Sequence, residues 1–148
     1  MRLFITIEAQ NATKNGLSNL LKEINTELDF ITSKDKELEI VDNYGTEFKE
    51  IAIIPTCASE EYLKILGWKE RKQIWRKKQE ADIRLHMDYD RFINETKENK
   101  RLMFIHIVIK SIEVVIERSK GDFNGQQLIE DILTKLKVKR GQLEKYGI

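Results

Sequence analysis

From Ala81 to Asp88 apolar and polar residues change places at every step. Ala81, Ile83, Leu85 and Met87 alternate with Asp82, Arg84, His86 and Asp88. Period two over eight residues predicts a β-strand with one buried face. The charged stretch before it, GWKERKQIWRKKQ at Gly67–Gln79, is then most simply its hairpin partner, joined across Lys77-Lys78-Gln79. Two further stretches read as strands because they are rich in β-branched and aromatic residues. One is RLFITIEA at 2–9; the other is FKEIAIIPT at Phe48–Thr56, which ends at the only proline, Pro55. Short strand character at Leu38–Val41 lies within a charged loop, and Asn43-Tyr44-Gly45 predicts a turn.

Between these segments the period changes to three and four. Leu17, Leu20, Leu21, Ile24, Leu28 and Ile31 predict an amphipathic helix over 13–31, capped by Asn11 or Thr13. Ser59 followed by Glu60 and Glu61 predicts a short helix, with a Ser cap and acids in the first turn. Asp90–Thr96 predicts another. From Leu102 to Arg118 a longer helix places Leu102, Ile105, Ile109, Ile112, Val115 and Ile116 on one side. Met103, Phe104, Ile107 and Val108 lie outside that stripe, so this helix is expected to be covered from more than one direction. Gly121–Gly125 breaks the pattern, Gln126–Val138 predicts a last helix, and the tail from about 141 is expected to be loose. The expectation is one α+β domain over 1–148. It comprises an antiparallel or mixed sheet of four to five strands, packed by several helices, with a helical C-terminal half.

Composition narrows the class. The chain is 41% hydrophobic and 34% charged, a globular balance, and its net charge of +1 argues against a general nucleic-acid binder. The sum conceals a split. Residues 1–65 carry 7 Lys/Arg against 12 Asp/Glu, whereas residues 66–148 carry 19 against 13. Two faces of opposite sign steer partners more than they set a fold. One cysteine, Cys57, excludes an internal disulfide and a cysteine-built metal site. No apolar leader opens the sequence and no window approaches 18 uncharged apolar residues, so a cytoplasmic protein is expected.

Candidate chemistry is sparse. A nucleophile pair of Cys57 with His86 or His106 requires an adjacency that spacing alone does not supply. The bland reading is a small buried cysteine, a surface histidine and a core histidine. Glu8, Asp88 and Asp90 could hold a hard cation, but Asp90 equally caps the helix that follows it. There is no glycine-rich phosphate loop, no G-x-S-x-G and no paired-histidine motif, so neither a cofactor nor an enzyme is expected. The segment 68–78 carries Trp68, Arg71, Lys72, Trp75, Arg76 and Lys78, which suits a phosphate backbone and stacked bases, or a partner protein. It equally suits the wet side of a hairpin facing Glu80, Asp82 and Asp88.

The layout resembles a known group. MRLFITIEAQ and a long helix come first, then EIAIIP. RKQIWRKKQEADIRLHMDYDRF runs into a helix, IVIKSIEVV follows, and GDFNGQQLIEDI closes the series. Together these resemble immunity proteins of bacterial polymorphic-toxin and contact-dependent growth inhibition systems. The resemblance implies a small cytoplasmic protein that binds one cognate toxin domain, often a nuclease, and brings no catalytic residues with it. A nuclease toxin is basic because it binds polyanions, so an acidic contact surface suits its inhibitor. The acids of the N-terminal half, Glu37, Glu39, Asp42, Glu47, Glu50, Glu60 and Glu61, are the expected toxin-binding set.

Overall fold

The computed structural model describes residues 2–5, 44–56, 72–77, 80–86, 91–92 and 94–144. Among these, four strands form one sheet: β1 (Arg2–Ile5), β2 (Glu50–Thr56), β3 (Lys72–Lys77) and β4 (Glu80–His86), in the order β1-β2-β4-β3. The sheet is mixed. β1 pairs with β2 in parallel, β2 with β4 in parallel, and β3 with β4 antiparallel. The hairpin expected from the alternating pattern is therefore present, and its second strand continues the sheet toward β2. The expected strand at 38–41 and the helices at 13–31 and from Ser59 lie outside the described residues. Pro55 lies near the C-terminal end of β2, paired with Leu85 of β4.

One face of this sheet is the floor of the core. Leu3, Ile5, Ile51, Ile53, Ala81, Ile83 and Leu85 are all buried there. Against it lies helix α1 (Lys97–Arg118), followed by α2 (Gly125–Leu136) and the single turn α3 (Arg140–Leu143). Every residue from Leu102 to Ile109 of α1 is buried. Such a run cannot be hidden by one neighbour, and α1 accordingly packs on β2 and β4 as well as on α2 and α3. Phe104 of α1 meets Phe92 edge to face, 5.3 Å between ring centres and 78° between planes. From α2, Leu128, Ile129, Ile132, Leu133 and Leu136 complete the same core.

The ends of the helices depart from the expected limits for identifiable reasons. α1 starts at Lys97 rather than Leu102, because Thr96 caps it by accepting the Asn99 N–H at 3.2 Å. The Asp90–Thr96 segment is helical only at 91–92 in its described part, and Glu95 N–H turns back to Phe92 O at 3.2 Å. α2 stops at Leu136 instead of Val138 because Lys137 takes a left-handed conformation, φ 56°. Val138 N–H then reaches back to Leu133 O at 3.0 Å and buries its side chain, the usual closure of a left-handed helix end. Beyond it Leu143 is also buried, so the chain stays packed past Gly141, where the sequence predicted it to come loose.

Lys137 carries a β-carbon in a backbone region that only glycine enters without cost. Lys137→Gly is expected to raise the unfolding free energy by about 0.5–1 kcal/mol, read from the midpoint of urea denaturation.

Candidate functional site

Two places in the fold collect the chemistry that the sequence singled out. The first is a strap, residues 44–48, tied across the α1–α2 connection at 119–124. Glu47 N–H donates to Asp122 O at 2.9 Å and Asn124 N–H donates to Tyr44 O at 2.8 Å. Between these two bonds Gly45 has φ +100°, and a β-carbon there would stand 2.1 Å from Asp122 O, so only glycine fits. Phe48 closes the strap against Phe123 edge to face at 5.1 Å.

Glu47 is the centre of the strap. It is only 8% exposed. Its carboxylate accepts the Lys120 N–H at 3.0 Å, the Gly121 N–H at 3.1 Å and the Ser119 hydroxyl. Successive N–H groups at the end of a helix form a small anion-binding hollow, and here the anion is a side chain of the same molecule. A buried charge is tolerated when it is hydrogen-bonded in this way. Glu47, one of the expected toxin-facing acids, is thus buried and hydrogen-bonded to the turn that follows α1. Tyr44, at the start of the strap, is buried too, and its hydroxyl donates to Asp131 at 2.5 Å. Burial, reinforced by that carboxylate, pushes the phenol well above its ordinary range, so it remains a donor. Gln127 holds the other oxygen of Asp131 at 2.8 Å.

The second place is the face of the sheet turned away from α1. There the register lines up Arg2, Glu50, Glu80 and Lys77 in one row, and Phe4, Ala52, Asp82 and Trp75 in the next. Ile54, Arg84 and Gln73 form a third. Ala52 and Ile54 are buried, at 4% and 9%, whereas Glu80 and Asp82 are exposed. This face is thus covered at Ala52 and Ile54, half-covered at Arg84 and open at Glu80 and Asp82.

The expected contact residues divide accordingly. Glu50 is half-buried at the start of β2. Glu37, Glu39, Asp42, Glu60 and Glu61 lie outside the described residues. Of the basic segment, Trp68, Arg71 and Lys78 also lie outside them, while Lys72, Trp75 and Arg76 belong to β3. The register separates these three: Lys72 and Arg76 pair with buried Leu85 and Ala81, and Trp75 pairs with exposed Asp82. The basic segment is therefore divided between two sheet faces rather than gathered on one. Glu8, Cys57, Asp88 and Asp90 lie outside the described residues, within which no group of three potential ligands could hold a metal ion.

His106 sits inside α1, 5% exposed, and its Nε2 has no hydrogen-bond partner among the described residues. Burial pushes its pKa below the ordinary 6.5, nearby Lys110 adds to this, and Glu113 opposes it. It is a neutral core histidine.

Two outcomes follow from these environments. Glu47→Ala strips the partners from two backbone donors and a hydroxyl, and is expected to lower the unfolding free energy by about 2–3 kcal/mol in urea titrations. The His106 effect has a definite sign. The unfolded chain takes up its proton near pH 6.5 and the folded chain does so only at a lower pH. Stability therefore falls as pH drops from about 6.5 to the folded pKa, and His106→Gln flattens that part of the stability–pH curve.

Among the described residues no helix is long and apolar enough to cross a membrane. No curated protein and no solved structure matches the chain. The family described as immunity protein 44 does match, over residues 1–137. That span takes in the whole four-stranded sheet, α1, the strap and its connection, and α2. The chain accordingly belongs to the immunity protein 44 family.

Proposed function

We propose that this protein binds one cognate toxin domain, a secreted nuclease, and neutralises it in the cytoplasm by stoichiometric occlusion of its active site or substrate-binding surface. The observation that carries this reading is the family match over residues 1–137. The charge split supports it. A nuclease presents a basic surface to its polyanionic substrate, and an inhibitor that meets that surface gains both association rate and complementarity from acidic residues. The N-terminal half supplies the excess of acids, among them Glu37, Glu39, Asp42, Glu50, Glu60 and Glu61. Glu47 contributes indirectly. Its carboxylate ties residues 44–48 to the turn that follows α1. Under this reading the chain carries out no chemistry of its own and needs no cofactor.

Association driven by opposite charges is fast at low ionic strength and slows as salt screens it. A one-to-one complex with the toxin domain encoded beside this chain is therefore expected by calorimetry, with an association rate that falls steeply between low and physiological salt. Cells producing that toxin domain should survive when this chain is co-produced. Absence of a complex at low ionic strength, or death of the co-producing cells, rejects the reading.

A further inference from the structure

We infer that the C-terminal segment from Val138 to Glu144 is a clasp closed over His106 of α1, and that acid opens it while the rest of the fold stays in place. The family match ends at residue 137, so this segment lies past the matched span and owes nothing to the toxin-binding reading. Two polar contacts fix its path. Arg101 Nη2 donates to Leu136 O at 3.3 Å, and Arg140 Nη1 meets Glu113 Oε1 at 3.2 Å. Between Leu136 and Arg140 the chain thus passes from the Arg101 level of α1 to the Glu113 level, about three turns along the helix. His106 stands between those two levels. Val138 and Leu143, on either side of Arg140, are pinned into the core at 6% and 3% exposure.

The side of α1 that carries His106 shows where the cover arrives. Lys110, Glu113 and Glu117 follow His106 at helical spacing and share its side of the helix. Lys110 and Glu117 are exposed and Glu113 is half-buried, yet His106 is 5% exposed. The change comes at the level where the clasp crosses. Nε2 of His106 has no hydrogen-bond partner among the described residues, so nothing there accepts the N–H that a second proton would create. The surrounding charges do not invite that proton either. Glu113 already holds Lys110 at 3.3 Å and Arg140 at 3.2 Å, and a charged His106 adds a third cation to one carboxylate. Lys139 and Glu144, the other charged residues of the clasp, are exposed, and the residues that α2 and the sheet bury are apolar. Burial and Lys110 hold the closed-state pKa below the ordinary 6.5, against the pull of Glu113. Opening the clasp returns the imidazole to water and to its ordinary titration. Below pH 6.5 each further pH unit therefore lowers the closed-to-open ratio about tenfold, until the closed-state pKa is reached.

A pH titration of the full chain, followed by NMR at methyl groups and at the His106 ring, tests this. The Val138 and Leu143 methyl signals are expected to leave their native positions as pH falls below 6.5, with the midpoint of the His106 ring signal. Ile83 and Ile129, in the sheet and α2, should keep native signals over the same range. His106→Gln should hold the clasp closed throughout, and Leu143→Ala, which loosens it, should move the His106 midpoint up toward 6.5. Clasp methyls that stay in place while His106 titrates overturn the device. Core methyls that move with them overturn it too, since the fold then opens as a whole. So does opening of His106→Gln at the wild-type midpoint. Should His106→Gln fail to fold, Leu143→Ala decides: a His106 midpoint no higher than in wild type means that the clasp does not cover the ring.

Discussion

The organisation of this protein depends on a helix that cannot face water on any side along its middle. Eight consecutive residues, Leu102–Ile109, are buried, and the hydrophobic effect therefore demands cover from all directions. The sheet supplies one wall and α2 with α3 supply the other. Burying a side chain of this size contributes about 1.5–3 kcal/mol, so the run outweighs any single polar contact in the molecule. That dominance explains why a histidine is carried within the run. His106 is held neutral by the apolar mass around it, and its Nε2, without a partner among the described residues, is the local cost of an otherwise continuous apolar segment.

Much of this was legible in the chain, and the reason is periodicity. The strict alternation at 81–88 marked β4 and its hairpin partner, since a half-buried strand has no other way to arrange its residues. The surplus apolar residues of α1 correctly required several neighbours. Other features left no periodic trace. Parallel pairing of β2 with β4 depends on where a distant strand lies, and alternation is silent on that. The start of α1 is set by one hydroxyl, that of Thr96, ahead of five residues with little apolar content. A cap of that kind is visible in sequence as T-K-E-N, but it competes with many similar tetrads.

The fate of Glu47 illustrates a different limit. In sequence it is one acid among twelve in the first 65 residues, with nothing to distinguish it. What sets it apart is the turn after α1, more than seventy residues later, where the Lys120 and Gly121 N–H groups and the Ser119 hydroxyl donate to its carboxylate. The only local hint was Gly45, two residues upstream, whose left-handed backbone brings the strap against Asp122. Composition counts charges, but three-dimensional structure decides which of them face the outside. The same holds for the tryptophans: Ile74, not Trp75, shares its register row with core residue Ile83.

The strand order also dictates a sequence of events in time. β3 and β4 are separated by two residues and can pair as soon as they meet, whereas Arg2–Ile5 must find Glu50–Ile53, and β2 must find β4 across the whole hairpin. Loop closure over such separations is slow relative to hairpin formation, so the strand made first by the ribosome is placed last. The sheet is therefore assembled outward from its C-terminal hairpin. β1 has no strand to pair with until β2 has been made, and β2 in turn waits for β4.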